Sequence, residues 1–175
     1  MAYAVTHVIV AIVLIDLYRD YIAKKKFSTW FVLIGGIAGL LPDIDVPLQW
    51  MATSFVGESV TLHRIVTHSL VFVAVFLAIA LFFHLQKRKK LNIFSKKISY
   101  GNIALFFAVI AAGWFTHIAL DCGVARDYNL TWFPGIPLGF CLHPFSGEAL
   151  LGLDAIILVL WLIHEEWAHK IKDFI

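Results

Sequence analysis

Apolar residues run almost unbroken through five stretches of this chain, about 2–18, 28–42, 65–86, 100–121 and 149–165, and polar residues collect between them. A hydrocarbon core about 30 Å thick needs roughly 20 apolar residues per helix, and somewhat fewer suffice for short helices packed around a wet cavity. The pattern therefore predicts an all-α membrane protein, a bundle of about five transmembrane helices. The first stretch lacks a basic leader and a small-residue cleavage site and carries His7, which predicts a retained helix rather than a signal peptide. No internal repeat or low-complexity linker interrupts the chain. A single domain over residues 1–175 is the simplest organisation.

Composition agrees, with 61% hydrophobic residues, only 15% charged residues and a mean hydropathy of +0.84, beyond what a soluble domain of 175 residues carries. Charge then orients the bundle. The link after the first stretch holds Arg19, Lys24, Lys25 and Lys26, and the link after the third holds Lys87, Arg88, Lys89, Lys90, Lys96 and Lys97. Short loops rich in Lys and Arg stay cytoplasmic. The segment from Asp43 to His63 has no Lys or Arg, and the segment after the fourth stretch has only Arg126, so both are expected outside. Lys170 and Lys172 return the tail to the inside. This predicts a multi-pass plasma-membrane protein with its N-terminus outside and its C-terminus cytoplasmic. Its basic runs are topology determinants facing anionic lipid, and no nucleic-acid partner is expected.

The chemically useful side chains all fall at the outer end of that topology. His7 lies in the first turns of the first helix, Asp43 and Asp45 follow Pro42, His63 and His68 flank the entry to the third helix, and His117 with Asp121 ends the fourth. Residues i and i+4 share a helical face, so His117 and Asp121 can reach one ion together. An unpaired Asp at the centre of a transmembrane helix costs about 2.5–3.5 kcal/mol, a cost that a bound cation removes. His63 and His68, five apart, would sit roughly 140° apart on a regular helix, so both face one site only if His63 precedes the helix. His84 and His164, near the cytoplasmic ends, are expected to be interfacial or packing residues.

Three runs, GLLPDIDVP at 39–47, HRIVTHSL at 63–70 and GWFTHIALD at 113–121, with an early Thr-His at 6–7, carry a resemblance. Together they resemble the LexA-regulated, membrane-bound metal-dependent hydrolases, over most of the chain from His7 to Pro144-Phe145. The resemblance implies metal and active-site positions at His7, Asp43, Asp45, His63, Arg64, His68, His117 and Asp121. His143 departs from the apolar residue usual there, as an added ligand or an interfacial residue. A more distant similarity, to zinc-dependent phospholipases C and single-strand nucleases, implies a metal-bridging role for Asp121. The ligands that group carries after its HxxxD motif are not reproduced by His143, Glu148 and Asp154.

The expected chemistry is metal-assisted hydrolysis of a phosphoester or lipid-like substrate at the extracytoplasmic face, with a divalent metal, zinc by donor type, lowering the pKa of bound water to about 7. His7, Asp45, His63, His68, His117 and Asp121 are the expected ligands, and Asp43 the general base. Arg64 either stabilises an anionic substrate or anchors at the headgroups. The aromatic and Pro-rich segment 123–147 suits a lid at the lipid–water boundary. Cys122 and Cys141, both extracytoplasmic, could close a disulfide there or remain as two buried thiols. Two rivals stand beside this reading: a relay for metal ions or protons, and a structural metal site with every coordination position filled by protein.

Overall fold

The computed structural model describes residues 4–57, 67–93, 96–124, 130–139, 141 and 147–169. The chain is mostly helical. In order it forms α1 (Ala4–Leu17), a π-helical turn (Tyr18–Ile22), α2 (Thr29–Ala38), a 3-10 turn (Leu41–Ile44), α3 (Asp45–Val56), α4 (Leu70–Leu85), strands β1 (Lys90–Ile93) and β2 (Lys96–Ser99), α5 (Tyr100–Val124), strands β3 (Thr131–Phe133) and β4 (Ile136–Pro137), and α6 (Gly147–His169). The strands make two small antiparallel hairpins, one in the basic link and one in the aromatic segment.

The central element is α5, packed against α4, α2 and α1. Its core layer joins Ile110, Ala111, Trp114 and Ile118 to Ala38 of α2 and Val73 of α4. A second layer joins Val109 to Ile15 of α1 and Val32 of α2. Small residues let the backbones meet where these helices cross. A Cβ placed on Gly113 would run into the Gly35 carbonyl oxygen and lie 2.9 Å from Ala38 Cβ, and one placed on Gly39 would lie 2.9 Å from the His7 carbonyl oxygen. Glycine at such crossings gives close backbone approach, the usual basis of helix packing in an apolar surround.

The expectation of about five transmembrane helices needs correction. Among the described residues one helix, Tyr100–Gly123, is long and apolar enough to cross a bilayer, and Thr29–Ala38 with Leu41–Val56, bent by 47°, is a second candidate if counted as one broken span. Length is the physical reason. At a rise of 1.5 Å per residue, the 14 residues of α1 and the 16 of α4 fall short of a hydrocarbon core about 30 Å thick. The apolar stretch over 28–42 is longer than the helix α2 it forms, because Pro42 lies in the 3-10 turn that redirects the chain. The segment after Asp43, expected as a loop, is instead largely helical. It starts with Asp45 in its first turn, where a carboxylate suits the helix dipole, and stops at Gly57, whose φ of 76° is left-handed. The outward side of α3 is apolar, with Leu48, Trp50, Met51 and Phe55 exposed.

Candidate metal centre

Four elements converge on one buried point. α5 supplies His117 and Asp121 from a single face, α1 supplies His7, the 3-10 turn supplies Asp43, and the residue pair before α4 supplies Thr67 and His68. His7, His68, His117 and Asp121 are buried, whereas the Asp43 side chain retains 29% exposure. Asp43 is therefore the member of the cluster that reaches the protein surface.

Hydrogen bonds behind the rings fix which nitrogen faces the centre. His117 Nδ1 lies 2.7 Å from the Gly39 carbonyl oxygen, which can only accept, so Nδ1 carries the proton and Nε2 keeps its lone pair. Thr67 Oγ1 donates to Asp45 Oδ2 at 2.6 Å. With that hydrogen used, Thr67 Oγ1 can only accept from His68 Nδ1 at 3.1 Å, which again leaves Nε2 as the acceptor. Trp114 Nε1 donates to the Thr67 carbonyl oxygen at 2.9 Å, and Phe72 stacks on Trp114 with ring centroids 5.2 Å apart, so the core of α5 positions this segment.

The inward atoms are close together. His68 Nε2 and His117 Nε2 are 3.1 Å apart. Asp43 Oδ1 lies 3.4 Å from each of them, and Asp121 Oδ2 lies 3.6 Å from His68 Nε2 and 3.8 Å from His117 Nε2. A tetrahedral ion with bonds of about 2.0–2.2 Å holds neighbouring donor atoms roughly 3.3–3.6 Å apart. The observed spacings scatter about that value, so His68, His117 and Asp121 can hold one divalent ion, with Asp43 Oδ1 close to both histidine nitrogens. His7 borders the same point. Its Nε2 is 3.5 Å from Asp121 Oδ1, its ring stacks on His117 at 3.8 Å, and its buried Nδ1 has no hydrogen-bond partner among the described residues.

The structure thus brings together His7, Asp43, His68, His117 and Asp121, and it places Asp45 differently from its neighbour. Asp45 Oδ2 is 3.5 Å from His68 Nδ1, on the far side of the ring from the centre. His63 and Arg64 lie outside the described residues, as does His143. Sequence reasoning passed over Thr67, Gly39 and Trp114. Thr67 had one local signal, its place directly before His68, while the Gly39 carbonyl meets a ring 78 residues away and had none. Cys122 and Cys141 form a disulfide, resolving the two alternatives and tying the end of α5 to the last loop. Of the aromatic segment, Trp132 and Phe133 stand exposed on β3.

A mostly helical protein with a closely packed α5 and a buried His/Asp cluster capable of holding a metal ion is the class these features define. The chain belongs to the YdjM inner membrane protein family, whose sequence profile it matches over residues 1–171. That membership carries association with the inner membrane. No curated protein and no solved structure matches the chain.

Proposed function

We propose that this protein is a membrane-embedded, metal-dependent hydrolase acting on a phosphoester or lipid-like substrate at the extracytoplasmic face. The observation that carries the reading is the 3.1 Å separation of His68 Nε2 and His117 Nε2. Both nitrogens are held as lone-pair acceptors by the partners of their Nδ1 atoms, and two buried lone pairs facing each other repel unless a cation lies between them. Histidine and carboxylate donors at tetrahedral spacing suit zinc.

A bound ion would supply Lewis-acid activation of water and of a phosphoryl or acyl oxygen. The residues divide the remaining work. His68, His117 and Asp121 bind the ion, with His7 beside Asp121, and the fourth position, on the Asp43 side, is left to water. Asp45, acting through Thr67, orients His68 and keeps its Nδ1 protonated. This takes Asp45 out of the ligand set expected from sequence and leaves Asp43, the expected base, beside the open position. Asp43, the partly exposed member, marks the side from which substrate and water reach the centre. In the proposed orientation the Asp121 end of α5 is outside and the basic β1–β2 hairpin is cytoplasmic, consistent with the positive-inside rule. Between His7 and Asp16, α1 buries Ile9, Ala11 and Ile15, an apolar layer that favours hydrolysis over conduction through the bundle.

The test is metal analysis of the purified chain combined with a hydrolysis screen on phospholipids and simple phosphodiesters. The reading expects zinc-dependent turnover that is lost on chelation and restored by zinc. Stoichiometric metal with no turnover in a broad ester screen would favour a structural metal site instead.

A further inference from the structure

A second group of titratable side chains lies at the opposite end of α1, where α6 packs against it. Asp16 and Glu165 are buried, and with His164 they present one carboxylate oxygen each and a ring nitrogen within 4.8 Å of one another. None of the residues proposed for hydrolysis belongs to this group. Asp16 stands nine positions after His7, about 13 Å further along the helix at 1.5 Å per residue.

The geometry points to a second divalent-cation site formed by Asp16, His164 and Glu165. His164 Nδ1 lies 3.8 Å from Asp16 Oδ2 and 3.8 Å from Glu165 Oε1. A proton on Nδ1 would be too far from either oxygen for a hydrogen bond, since N–H donors need roughly 2.7–3.2 Å. An ion placed among the three atoms would instead lie about 2.2–2.4 Å from each, the range of hard and borderline divalent metals.

The surroundings prepare the donors. On the other side of the ring, His164 Nε2 is 3.2 Å from the Tyr21 hydroxyl, and with the proton on Nε2 donated to that oxygen the lone pair is on Nδ1. Trp161 Nε1 donates to Asp16 Oδ2 at 3.4 Å, and Arg19 Nη1 lies 3.5 Å from Asp16 Oδ1, so the carboxylate is held from both ends. Arg19 also donates to Asp20 at 2.9 Å and to the Phe27 carbonyl oxygen at 2.7 Å, which directs much of its donor capacity away from Asp16. Lys26 pairs with Asp20 at 3.2 Å.

Access comes from an independent feature. A cavity of about 410 Å³ lies between α1, α2 and α6, lined by Ile12, Trp30, Val32 and Trp161, and its otherwise apolar wall carries Asp16 and Glu165. Two of the three donors are thus reachable from one open side, which leaves coordination positions for water. Bound there, the ion would fasten α6 to α1.

The experiment uses the full chain in detergent, dialysed against zinc or manganese, with bound metal measured by mass spectrometry per mole of protein. His117→Ala disables the first centre and is expected to retain about one equivalent. Adding Glu165→Gln or His164→Gln, both close in shape to the native residue, should remove that equivalent while the elution volume and helical circular dichroism stay unchanged. Metal-free His117→Ala protein of normal elution overturns the second site, as does undiminished binding in both double variants. A wild-type chain whose single equivalent survives His117→Ala but not His164→Gln would uphold this site and overturn the first.

Discussion

The Thr67 hydroxyl and the Asp45 carboxylate are 2.6 Å apart, and this contact decides the protonation of a ring neither of them belongs to. With its hydrogen committed to Asp45, Thr67 takes the proton of His68 Nδ1 as acceptor, and Nε2 is left facing the centre. Thr67→Val and Asp45→Asn should therefore each weaken metal binding by roughly 10- to 100-fold without abolishing the site, the usual effect of losing a partner behind a ligand. Zinc competition against a chromophoric chelator reads this directly. Wild-type affinity in both variants would remove Thr67 and Asp45 from the account.

Side chains that point into the centre should behave differently from those behind it. His117→Ala and Asp121→Ala are expected to lose the ion of the first centre outright, because each removes one of its ligands, whereas Asp43→Asn should keep the ion and lose turnover. His84→Ala, exposed on α4, should keep full metal content. Metal analysis of the four purified variants settles the point, and equal content in all of them would sink the assignment.

Ala in place of Gly113 puts a methyl group against the Gly35 carbonyl oxygen, in a contact with no room to yield. The expected cost is about 1–3 kcal/mol, the range for overpacking a close interface. It should appear as a lower midpoint in thermal unfolding followed by circular dichroism in detergent. An unchanged midpoint would mean that α2 and α5 pack less closely than described.

The disulfide between Cys122 and Cys141 encloses a loop with a sequence separation of 19. Closing a loop of that size contributes roughly 3 kcal/mol through the unfolded chain. Denatured, unreduced protein should show no free thiol and reduced protein two, and Cys122→Ser with Cys141→Ser should unfold at a lower temperature. Persistence of the bridge also fits an extracytoplasmic location for this end of α5.

Orientation has its own test. In intact cells an impermeant thiol reagent should label Ser54→Cys on α3 and leave Lys89→Cys, beside the basic hairpin, unlabelled until the membrane is opened. The opposite pattern would reverse the charge argument.

Much of the centre was legible because its signals are local. His117 and Asp121 are a helical turn apart, Pro42 announces a break, and a histidine or aspartate in an apolar chain needs a reason to be there. Which of Asp43 and Asp45 turns inward was not legible, since the choice depends on the 3-10 turn that carries one and the helix start that carries the other. α3 was hidden by Pro47 and by the absence of charge, which together resemble a loop. The pairing of Asp16 with the 164–165 region was hidden for a different reason. Asp16 and Trp161 are 145 residues apart, and only the packing of α6 on α1 makes them neighbours. Span count failed on length, because the apolar stretch over 28–42 continues past the end of α2 and α1 and α4 are short.

His68 and His117 are separated by 49 residues, and His7 stands far before both. An ion shared by such distant parts of the chain is a reversible cross-link, and it restrains the unfolded chain much as a covalent bridge would. The disulfide does this permanently for the last loop, while the centre does it conditionally for the N-terminal two-thirds. Tension on that stretch and occupancy by metal become two readings of one quantity, so chelation should loosen α1 and the turn at Thr67 and His68 while leaving the link at Cys122 intact.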